Sequence, residues 1–424
     1  MTSSSSGYAA LVRGNHNYRN VWFGEIVSLF GDWFNLIASA ALVAQLTGSG
    51  LAVGGLFVVR MLAPFVISPF AGVWADRYNR RSLLLATDLA RAAIVFGFLL
   101  VREPGDVWLL YVLTALQLAI SGVFFPARNA ILPDIVAPSE IGAANALSST
   151  TWSVMLSLGA ALGGVVTGEW GIYPAFVIDA LSFLLSAWFV YRLRYTPAPP
   201  EPGQAGAGFG QFVEGLRYLK HNADVFFITL LKALAGLAIS GGFQVAQVVL
   251  AERVFVIGEG GGTSLGLMYA AVGVGTGIGP ILGRRFTGDR VRPLRWAIVV
   301  GFATAAVGLL LIAPQTSFAL VLFGSLLRGV GAGIIWVFST QLLLELTPNA
   351  VRGRVFSSDF AAQTLTNAIS AGVGGWLLDR TGLGVSGLLL GMAVLTALFA
   401  AAWAAWTVGK ATTPPGDGRQ TTAY

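Results

Sequence analysis

The sequence predicts an all-α membrane protein of twelve transmembrane helices, arranged as two sets of six. Three observations lead to this prediction. The 424-residue chain is 55% hydrophobic and only 11% charged, whereas a soluble protein has about 25% charged residues. Its apolar residues fall into runs of roughly 20 or more, the length that an α-helix needs to cross a bilayer. A stretch rich in Pro, Gly and Ala then separates six of these runs from six more.

Twelve apolar runs define the predicted spans. Those of the first set cover 21–47, 51–73, 82–101, 107–127, 142–167 and 171–192. Those of the second set cover 223–250, 264–285, 294–313, 317–341, 355–378 and 384–408. Residues 1–19 are polar and lack the apolar core of a cleaved signal peptide, so we expect the first span to enter the membrane itself.

The distribution of positive charge predicts the orientation. With the N-terminus in the cytoplasm, nineteen of the 26 Lys and Arg residues fall on the cytoplasmic side and three on the outer side. The other four, which lie inside spans, are Arg60, Arg91, Lys232 and Arg328. Such a bias is typical of membrane proteins. We therefore expect a multi-pass protein of the bacterial inner membrane with both termini cytoplasmic, and we assign the net charge of +6 to orientation rather than to nucleic-acid binding.

The connection between the two sets predicts the domain boundaries. Residues 196–210 form a Pro/Gly/Ala linker that favours no regular structure. Residues 211–222 place Phe212, Leu216 and Leu219 at helical spacing, which predicts a short amphipathic helix on the membrane surface. The predicted units are a six-helix half (1–195), the linker with its helix (196–222), a second half (223–410) and a disordered cytoplasmic tail (411–424).

The two halves also resemble each other. Residues 133–145 align with 343–355, and Gly163, Gly164 and Gly171 align with three glycines about 211 positions later. Parallel six-helix repeats related by an axis along the membrane normal are typical of one class of secondary transporter. The repeat therefore predicts pseudo-two-fold symmetry and a transport function.

A motif lies between the second and third spans, Gly72-Val-Trp-Ala-Asp76-Arg77-Tyr-Asn79-Arg80-Arg81. It resembles the G-x-x-x-D-R-x-G-R-R/K signature of the major facilitator superfamily, with Asn79 in place of the second glycine. Asn also tolerates left-handed backbone angles. Glycine permits close helix approach, an aspartate can cap a helix, and arginines can hold helix ends through carboxylates. We expect conformational gating by Gly72, Asp76, Arg77, Arg80, Arg81, Arg128, Glu345 and Asp359, the last two through salt bridges to the loops.

Further stretches are similar to the third drug:proton antiporter branch of that superfamily, which includes macrolide-efflux proteins and the enterobactin exporter. They are FGEIVSLFGDWFNLIASAALVAQLTGS (23–49), FFPARNAILPDIV (124–136), IGAANAL (141–147) and IDALSFLLSAWFV (178–190). This resemblance implies proton-driven export of amphiphilic compounds. One departure is the fifth span, where Gly159–Gly164 lacks the proline that antiporters of the superfamily commonly carry. The chain therefore lacks one kink determinant.

Ionisable residues inside spans are costly and therefore need a role. Asp32 lies near the middle of the first span, and Glu25 lies seven residues earlier on the same side. We predict proton coupling by Asp32, Glu25 and Asp88. The alternatives are that Asp32 is permanently paired with a base such as Arg60, and that Asp88 forms a local salt bridge with Arg91 at i, i+3.

Aromatic and polar residues deep in the spans predict an apolar and adaptable substrate pocket. Arg60, Lys232 and Arg328 suit an anionic substrate group, although each is equally suited to clamp helices together. The predicted substrate-binding residues are Phe30, Phe34, Arg60, Phe124, Phe125, Trp152, Lys232, Phe243, Gln244, Arg328 and Trp336.

The leading hypothesis is a proton-coupled exporter of amphiphilic molecules that works by alternating access. Alternatives are a lipid or lysolipid flippase on the same fold, a small-nutrient uptake permease and a non-transporting receptor. An enzyme is disfavoured, because the chain has no Cys and places both histidines, His16 and His221, in polar segments. We expect no cofactor or metal. The expected partners are the lipid bilayer, protons and a small amphiphile. We also expect a monomer, since one chain holds both halves.

Overall fold

A computed structural model describes residues 4–194, 217–288 and 290–412. Within these ranges the chain is helical and contains no strand. The N-terminal set comprises a short helix α1 (Ser4–Gly14) and the spans α2 (His16–Thr47), α3 (Gly50–Arg77), α4 (Arg80–Gly97), α5 (Val107–Ile135), α6 (Pro138–Trp170) and α7 (Ile172–Tyr191). The C-terminal set comprises α8 (Ala223–Val254), α9 (Gly262–Thr287), α10 (Val291–Ile312), α11 (Phe318–Leu346), α12 (Asn349–Arg380) and α13 (Gly384–Thr412).

The twelve predicted spans correspond one to one to α2–α13. In the described chain, eleven helices are long and apolar enough to cross a membrane. The twelfth, α12, has 32 residues but carries Ser, Thr, Asn and Gln along its length, which lowers its hydropathy. It packs along α3 and α8, so its polar residues face other helices of the protein. The twelve-helix prediction is therefore confirmed.

Both ends of the described chain lie on one side of the helical bundle, because an even number of spans separates them. We call this side the terminal face and the opposite side the far face. Capping residues set several of the turns: Asn15 accepts a 2.9 Å hydrogen bond from the Tyr18 N–H, and Ser49 accepts a 3.0 Å bond from the Ala52 N–H. Gly48 ends α2 with a positive φ of 56°, which glycine adopts without a steric cost.

Several local expectations were incomplete. Residues 4–14 form α1, whose Leu11 is buried against the bundle, although the polar composition gave no sign of a helix. Asn79 does not take left-handed angles; with φ −57° and ψ 116° it caps α4 through a 3.2 Å bond from the Ser82 N–H. Of the predicted amphipathic helix, residues 217–221 are helical and Leu219 is buried. Residues 195–216 and 413–424 lie outside the described part of the chain.

Two spans contain π-helical turns that the sequence did not predict. They lie at Met155–Gly159 and Val166–Trp170 in α6, and at Gly236–Ser240 and Leu250–Val254 in α8. A π-turn adds a residue to the helical repeat and rotates the side chains that follow it. In α8 one such turn directly precedes Phe243 and Gln247, so it helps to set the direction of residues in the centre of the protein.

The two sets meet closely at the far face through glycines. A Cβ on Gly54 of α3 would lie 2.7 Å from the carbonyl oxygen of Ala371 on α12. A Cβ on Gly266 of α9 would lie 2.5 Å from Cα of Gly164 on α6. Side chains cannot fit at these positions without backbone movement, so small residues bring the helices together here.

Toward the terminal face, α6 and α9 move apart. A Cβ on Gly273 would still lie 3.0 Å from Cα of Ser157, but one turn later a Cβ on Gly277 would meet no atom within 4 Å. The space between the helices is a cleft of about 410 Å³, lined by Ser153, Val154, Ser157, Leu158, Ala161, Ala270, Gly273, Val274, Gly277 and Ile278. The two sets are therefore closed at the far face and separate toward the terminal face along this pair of helices.

Candidate functional site

Seven ionisable side chains and one amide lie inside the spans of the two sets. Arg60 and Arg328 each lie ten residues after the first residue of their helices, about 15 Å along the axis at 1.5 Å per residue. The group comprises Asp32 on α2, Arg60 on α3, Asp88 and Arg91 on α4, Asp179 on α7, Gln247 on α8, Tyr269 on α9 and Arg328 on α11. We call it the central cluster. Charges at this depth require partners or a function.

Asp88 and Arg91 contact each other and side chains of neighbouring helices. They form the i, i+3 ion pair, and Asp88 also accepts a 2.7 Å hydrogen bond from Ser186 of α7. The Arg91 guanidinium lies between the rings of Phe124 and Phe183, 4.3 and 4.2 Å from their centroids. The local salt bridge considered in the sequence is thus present, and Phe124 packs against Arg91.

Glu25 and Arg128 form a second buried ion pair, nearer the terminal face. Ser148 of α6 joins them, since it donates a 3.2 Å hydrogen bond to Glu25 and accepts one from Arg128. The three side chains tie α2, α5 and α6 together. Glu25 was predicted to couple protons and Arg128 to gate; the structure places both in one inter-helix clamp.

Lys232 and Asp359 form the corresponding buried pair of the C-terminal set, with Nζ and Oδ2 2.6 Å apart. The Lys232 ammonium also lies 4.9 Å from the ring centroid of Trp336 and 5.6 Å from that of Phe356. The expectation that Asp359 pairs with a loop is wrong. It lies ten residues into α12, too deep to reach a loop, and it faces α8 instead.

Asp32 and Asp179 are different, because neither forms an ion pair within 4 Å among the described residues. Asp179 has 0% exposure. It packs on Gly31, beside the buried Asn35 amide. Asp32 is partly buried and interacts electrostatically with Arg91 and Arg60.

Arg60 and Arg328 are the matching cations. Neither has a carboxylate within 4 Å in the part of the chain that the structure describes. Both interact electrostatically with Tyr269 of α9. Arg328 donates a 3.0 Å hydrogen bond to the Ile239 carbonyl at a π-turn and lies 4.1 Å from the centroid of Phe243. Tyr269 was not predicted, because a tyrosine in a span carries no distinctive sequence signal.

The predicted aromatic pocket residues divide into two groups. Phe30, Phe34 and Phe243 lie in or against the buried core around the central cluster, where Phe34 packs on Gly163 of α6. Gln244 is partly buried. The side chains of Phe125, Trp152 and Trp336 are about half exposed on the helical bundle. Trp33, which was not predicted, packs edge-on against Tyr269 with ring centroids 5.7 Å apart.

The arginines of the sequence motif hold helix ends at the terminal face. Arg80 forms a 2.6 Å ion pair with Asp134 and a 3.1 Å hydrogen bond to the Ala130 carbonyl, both at the end of α5. Arg81 donates a 2.5 Å bond to the Tyr191 carbonyl at the end of α7. Glu345 accepts a 3.3 Å bond from Gln341 within α11. The side chains of Gly72, Asp76 and Arg77 lie outside those described.

A polar contact that the sequence missed joins the two sets at the far face. Asp379 of α12 accepts hydrogen bonds from the Ser49 hydroxyl (2.6 Å), the Gly50 N–H (2.8 Å) and the Leu51 N–H (3.0 Å) at the start of α3. Burial raises the pKa of the Asp379 carboxyl, but these bonds and nearby Arg253 outweigh burial and hold the pKa below its usual range. Arg253 also donates to the Gly48 carbonyl. We call this contact the far-face latch.

Solved structures with the same fold are transporters. The chain superimposes on a bacterial homologue of the iron transporter ferroportin in its inward-facing state with a TM-score of 0.68, 17% identity and coverage of 92% of this chain and 98% of that one. The POT family transporter PepTSo gives a TM-score of 0.71 at 13% identity, covering 94% and 99%. At such identity the likeness shows the fold alone.

Sequence comparison gives relatives along most of the chain. An uncharacterized MFS-type transporter, YfiS of Bacillus subtilis, is 27% identical over 90% of this chain and 91% of its own length. The putative bacilysin exporter BacE of Bacillus amyloliquefaciens is 26% identical over 84% and 87%. The multidrug resistance protein MdtG of Enterobacter lignolyticus is 28% identical over 81% and 79%. The pattern of the Major Facilitator Superfamily matches residues 21–358 and 259–422, and the chain therefore belongs to the major facilitator superfamily of membrane transporters.

Proposed function

We propose that this protein exports amphiphilic compounds in exchange for protons. The observation that carries the proposal is Asp32, a carboxyl inside the first span with no ion-pair partner within 4 Å among the described residues. The buried acids Glu25, Asp88 and Asp359 are each committed to a basic partner. A carboxyl free to gain and lose a proton is what proton coupling requires.

Coupling follows from competition for one site. A proton on Asp32 neutralises the carboxylate and weakens its attraction for Arg60 and for a cationic part of a substrate. Loss of the proton restores that attraction. If the sets change conformation only when either proton or substrate is bound, each cycle exchanges one for the other.

The surroundings of Asp32 suit an amphiphilic substrate. Phe30 and Phe34 on the same helix, Trp33 beside Tyr269, and Phe243 under Arg328 provide aromatic surface next to polar groups. Apolar walls with a few polar groups are typical of small-molecule sites. The names of BacE and MdtG relatives, an exporter and a multidrug resistance protein, support export as the direction.

The conformation suits loading from the terminal face, which the charge distribution predicts to be cytoplasmic. The far-face latch and the glycine contacts close the opposite side, while α6 and α9 separate toward the terminal face. An exporter would load its substrate in this state and release it after the far face opens.

The test uses inside-out vesicles, an imposed proton gradient and a fluorescent lipophilic amphiphile. We expect gradient-dependent accumulation by the wild type, its collapse on adding a protonophore, and its loss in Asp32→Asn. Glu169→Gln is the matched control, since it removes one exposed carboxylate at the far face and should leave accumulation unchanged. Accumulation that persists in Asp32→Asn would contradict Asp32 as the coupling residue, and its absence from the wild type would contradict amphiphile export.

The cleft between α6 and α9 favours a second candidate, a lipid or lysolipid flippase. Its lining is mainly apolar apart from Ser153 and Ser157, which suits an acyl chain. Reconstituted protein would then move a fluorescent lysolipid between leaflets, which a dithionite quenching assay measures; unchanged lysolipid distribution would contradict this candidate.

A further inference from the structure

We propose that the connection between α9 and α10 binds the phosphate of an anionic phospholipid at the terminal face, through Arg285, Arg290, Arg292 and Arg295. We call these four residues the basic patch. The lipid would be a bound partner of the protein in the membrane and not a transported compound. The basic patch lies at helix ends, separate from the central cluster, so it stands whether or not the protein exports amphiphiles.

The connection between α9 and α10 carries a strong excess of positive charge. Residues 284–295 contain five arginines against a single acidic residue, Asp289. Of the basic patch, Arg295 is partly buried and the other three arginines are exposed. A bias of Lys and Arg toward the cytoplasm accounts for the side of the membrane on which these residues lie. It does not account for the contacts that they make, or do not make, with the rest of the protein.

The basic patch differs from the arginines at the equivalent connection of the first set, between α3 and α4. There Arg80 pairs with Asp134 of α5, and Arg81 donates a hydrogen bond to the Tyr191 carbonyl of α7. Within the part of the chain that the structure describes, the guanidinium groups of the basic patch have no carboxylate within 4 Å and donate no hydrogen bond. Arginines that hold no helix end are available to a ligand.

Exposed apolar side chains flank the basic patch. Phe286, which follows Arg285, is 82% exposed, and Ile281, one turn before Arg285 on the same side of α9, is 66% exposed. Trp296 lies four residues after Arg292, so both project from one side of α10, and its ring is also exposed. Charged and aromatic residues side by side at helix ends are typical of the boundary between head groups and acyl chains. The basic patch therefore lies at the level of lipid phosphates.

Aromatic rings from two other helices hold Arg295 in place. Its guanidinium lies 4.8 Å from the ring centroid of Trp406 on α13. Trp406 stacks on Trp403, with centroids 4.4 Å apart, and the Trp403 indole donates a 2.9 Å hydrogen bond to the Arg295 carbonyl. Phe227 of α8 also packs against Trp406, with centroids 5.8 Å apart. A side chain that is held in advance loses less conformational entropy when it binds a ligand.

An anionic phospholipid matches both properties of this surface. The planar N–H groups of arginine fit phosphate oxygens, and the bonds to a charged acceptor are strong. The flanking rings and Ile281 would contact the acyl chains of the same molecule. A soluble phosphate would use the arginines alone, and a zwitterionic lipid would add a positive amine beside them. Basic surfaces at the cytoplasmic ends of membrane helices bind anionic head groups in this way.

The test measures lipid binding to the delipidated full-length protein by native mass spectrometry. The protein is titrated with dioleoyl phosphatidylglycerol and, separately, with dioleoyl phosphatidylcholine, which has the same acyl chains but no net charge. We expect the wild type to bind the anionic lipid about tenfold more tightly, since each arginine near an anionic lipid contributes about fivefold. The double variant Arg292→Gln/Arg295→Gln should remove this preference by weakening the binding of phosphatidylglycerol alone.

Further variants separate charge recognition from misfolding. Arg285→Gln/Arg290→Gln changes only exposed side chains outside the aromatic stack, and it should weaken the binding of phosphatidylglycerol in the same direction. Arg292→Lys/Arg295→Lys keeps both charges and should retain most of the preference. Arg13→Gln is the matched control, since it removes an exposed arginine from α1 at the same face and should change neither affinity.

Three results would overturn the lipid site. Equal affinity of the wild type for the two lipids would show that charge is not recognised, and a preference that survives both glutamine double variants would show that it is recognised elsewhere. Glycerol phosphate, which is the head group without acyl chains, is added as a competitor. Its failure to displace phosphatidylglycerol when present at the same concentration would support a lipid partner, whereas equal competition would show that the basic patch binds free phosphate.

Discussion

Ser49 and Asp379 join the two sets of helices at the far face, with the Ser49 hydroxyl donating a 2.6 Å hydrogen bond to the Asp379 carboxylate. The same carboxylate accepts the N–H groups of Gly50 and Leu51, which begin α3. A helix N-terminus carries partial positive charge and free N–H groups, so it stabilises a carboxylate placed there. Asp379 therefore acts across the interface in the way that a capping residue acts within one helix.

Asp379→Asn should loosen the far face, because an amide has no negative charge and accepts fewer hydrogen bonds. The chain has no native Cys, so a single Ala371→Cys probe under the latch reports opening through its rate of maleimide labelling. We expect faster labelling in Asp379→Asn than in the parent. Asp106→Asn, which alters a far-face carboxylate that bonds only near its own turn, is the control. An unchanged labelling rate would contradict the latch.

The pH dependence of the latch follows from the sign of the Asp379 shift. Its pKa in the folded protein lies below the usual value of about 3.9. The contribution of the carboxylate is thus complete above that usual value and is lost only as the pH falls through the lowered pKa. Labelling of Ala371→Cys should therefore stay constant between about pH 5 and about pH 8. A rise within this window would show that another group controls opening.

The Gly164–Gly266 contact should be essential for closing the far face. A methyl group on Gly266 would lie 2.5 Å from Cα of Gly164 and 2.6 Å from the Ala160 carbonyl oxygen, so the backbones must separate. We expect Gly266→Ala to reduce transport strongly. Gly277→Ala on the same helix is the matched control, since its added methyl would meet no atom within 4 Å. Equal transport by the two variants would contradict this prediction.

The Lys232–Asp359 pair should stabilise the fold only as a pair. Lys232→Met alone leaves a buried carboxylate without its partner, and Asp359→Asn alone leaves a buried ammonium; each should lower the free energy of unfolding by about 3–5 kcal/mol. The double variant should recover most of this loss, because neither charge remains. Thermal unfolding in detergent measures all four proteins. Additive losses in the double variant would show that the two residues do not act together.

Asp179→Asn should be tolerated far better than Asp88→Asn. Among the described residues Asp179 has no ion pair to lose, whereas Asp88 gives up Arg91 and weakens the bond from Ser186. We expect a small change in the unfolding temperature for Asp179→Asn and a marked decrease for Asp88→Asn. A large decrease for Asp179→Asn would show that its carboxylate has a stabilising partner in the membrane.

The sequence was sufficient to predict the spans, because twenty-residue apolar runs leave few alternatives. It was also sufficient for interactions within one helix, such as Asp88 with Arg91, where the spacing alone brings the groups together. It failed for Asn79, because an Asn beside charged residues is compatible both with a left-handed turn and with a helix cap. It also missed α1, whose few apolar residues become buried only against other helices.

The central cluster was only partly predictable. Asp32, Arg60 and Arg328 are conspicuous in sequence, since charges inside spans are costly. Which of them pair depends on the rotation of each helix about its axis, and the π-turns of α6 and α8 change that rotation. Tyr269, Gln247 and Asp379 were missed for the same reason. These residues matter because side chains and backbone from distant helices surround them, and no local sequence pattern encodes those contacts.

The glycine contacts at the far face have a mechanical consequence. At the glycines where α3 meets α12 and α6 meets α9, the backbones of the two helices contact each other directly. Two such surfaces can separate and rejoin without any rotamer change. At these positions, opening therefore need not wait for side chains to rearrange. A transporter built in this way can open and close its far face repeatedly, because the glycine contacts form again each time without a side-chain rearrangement.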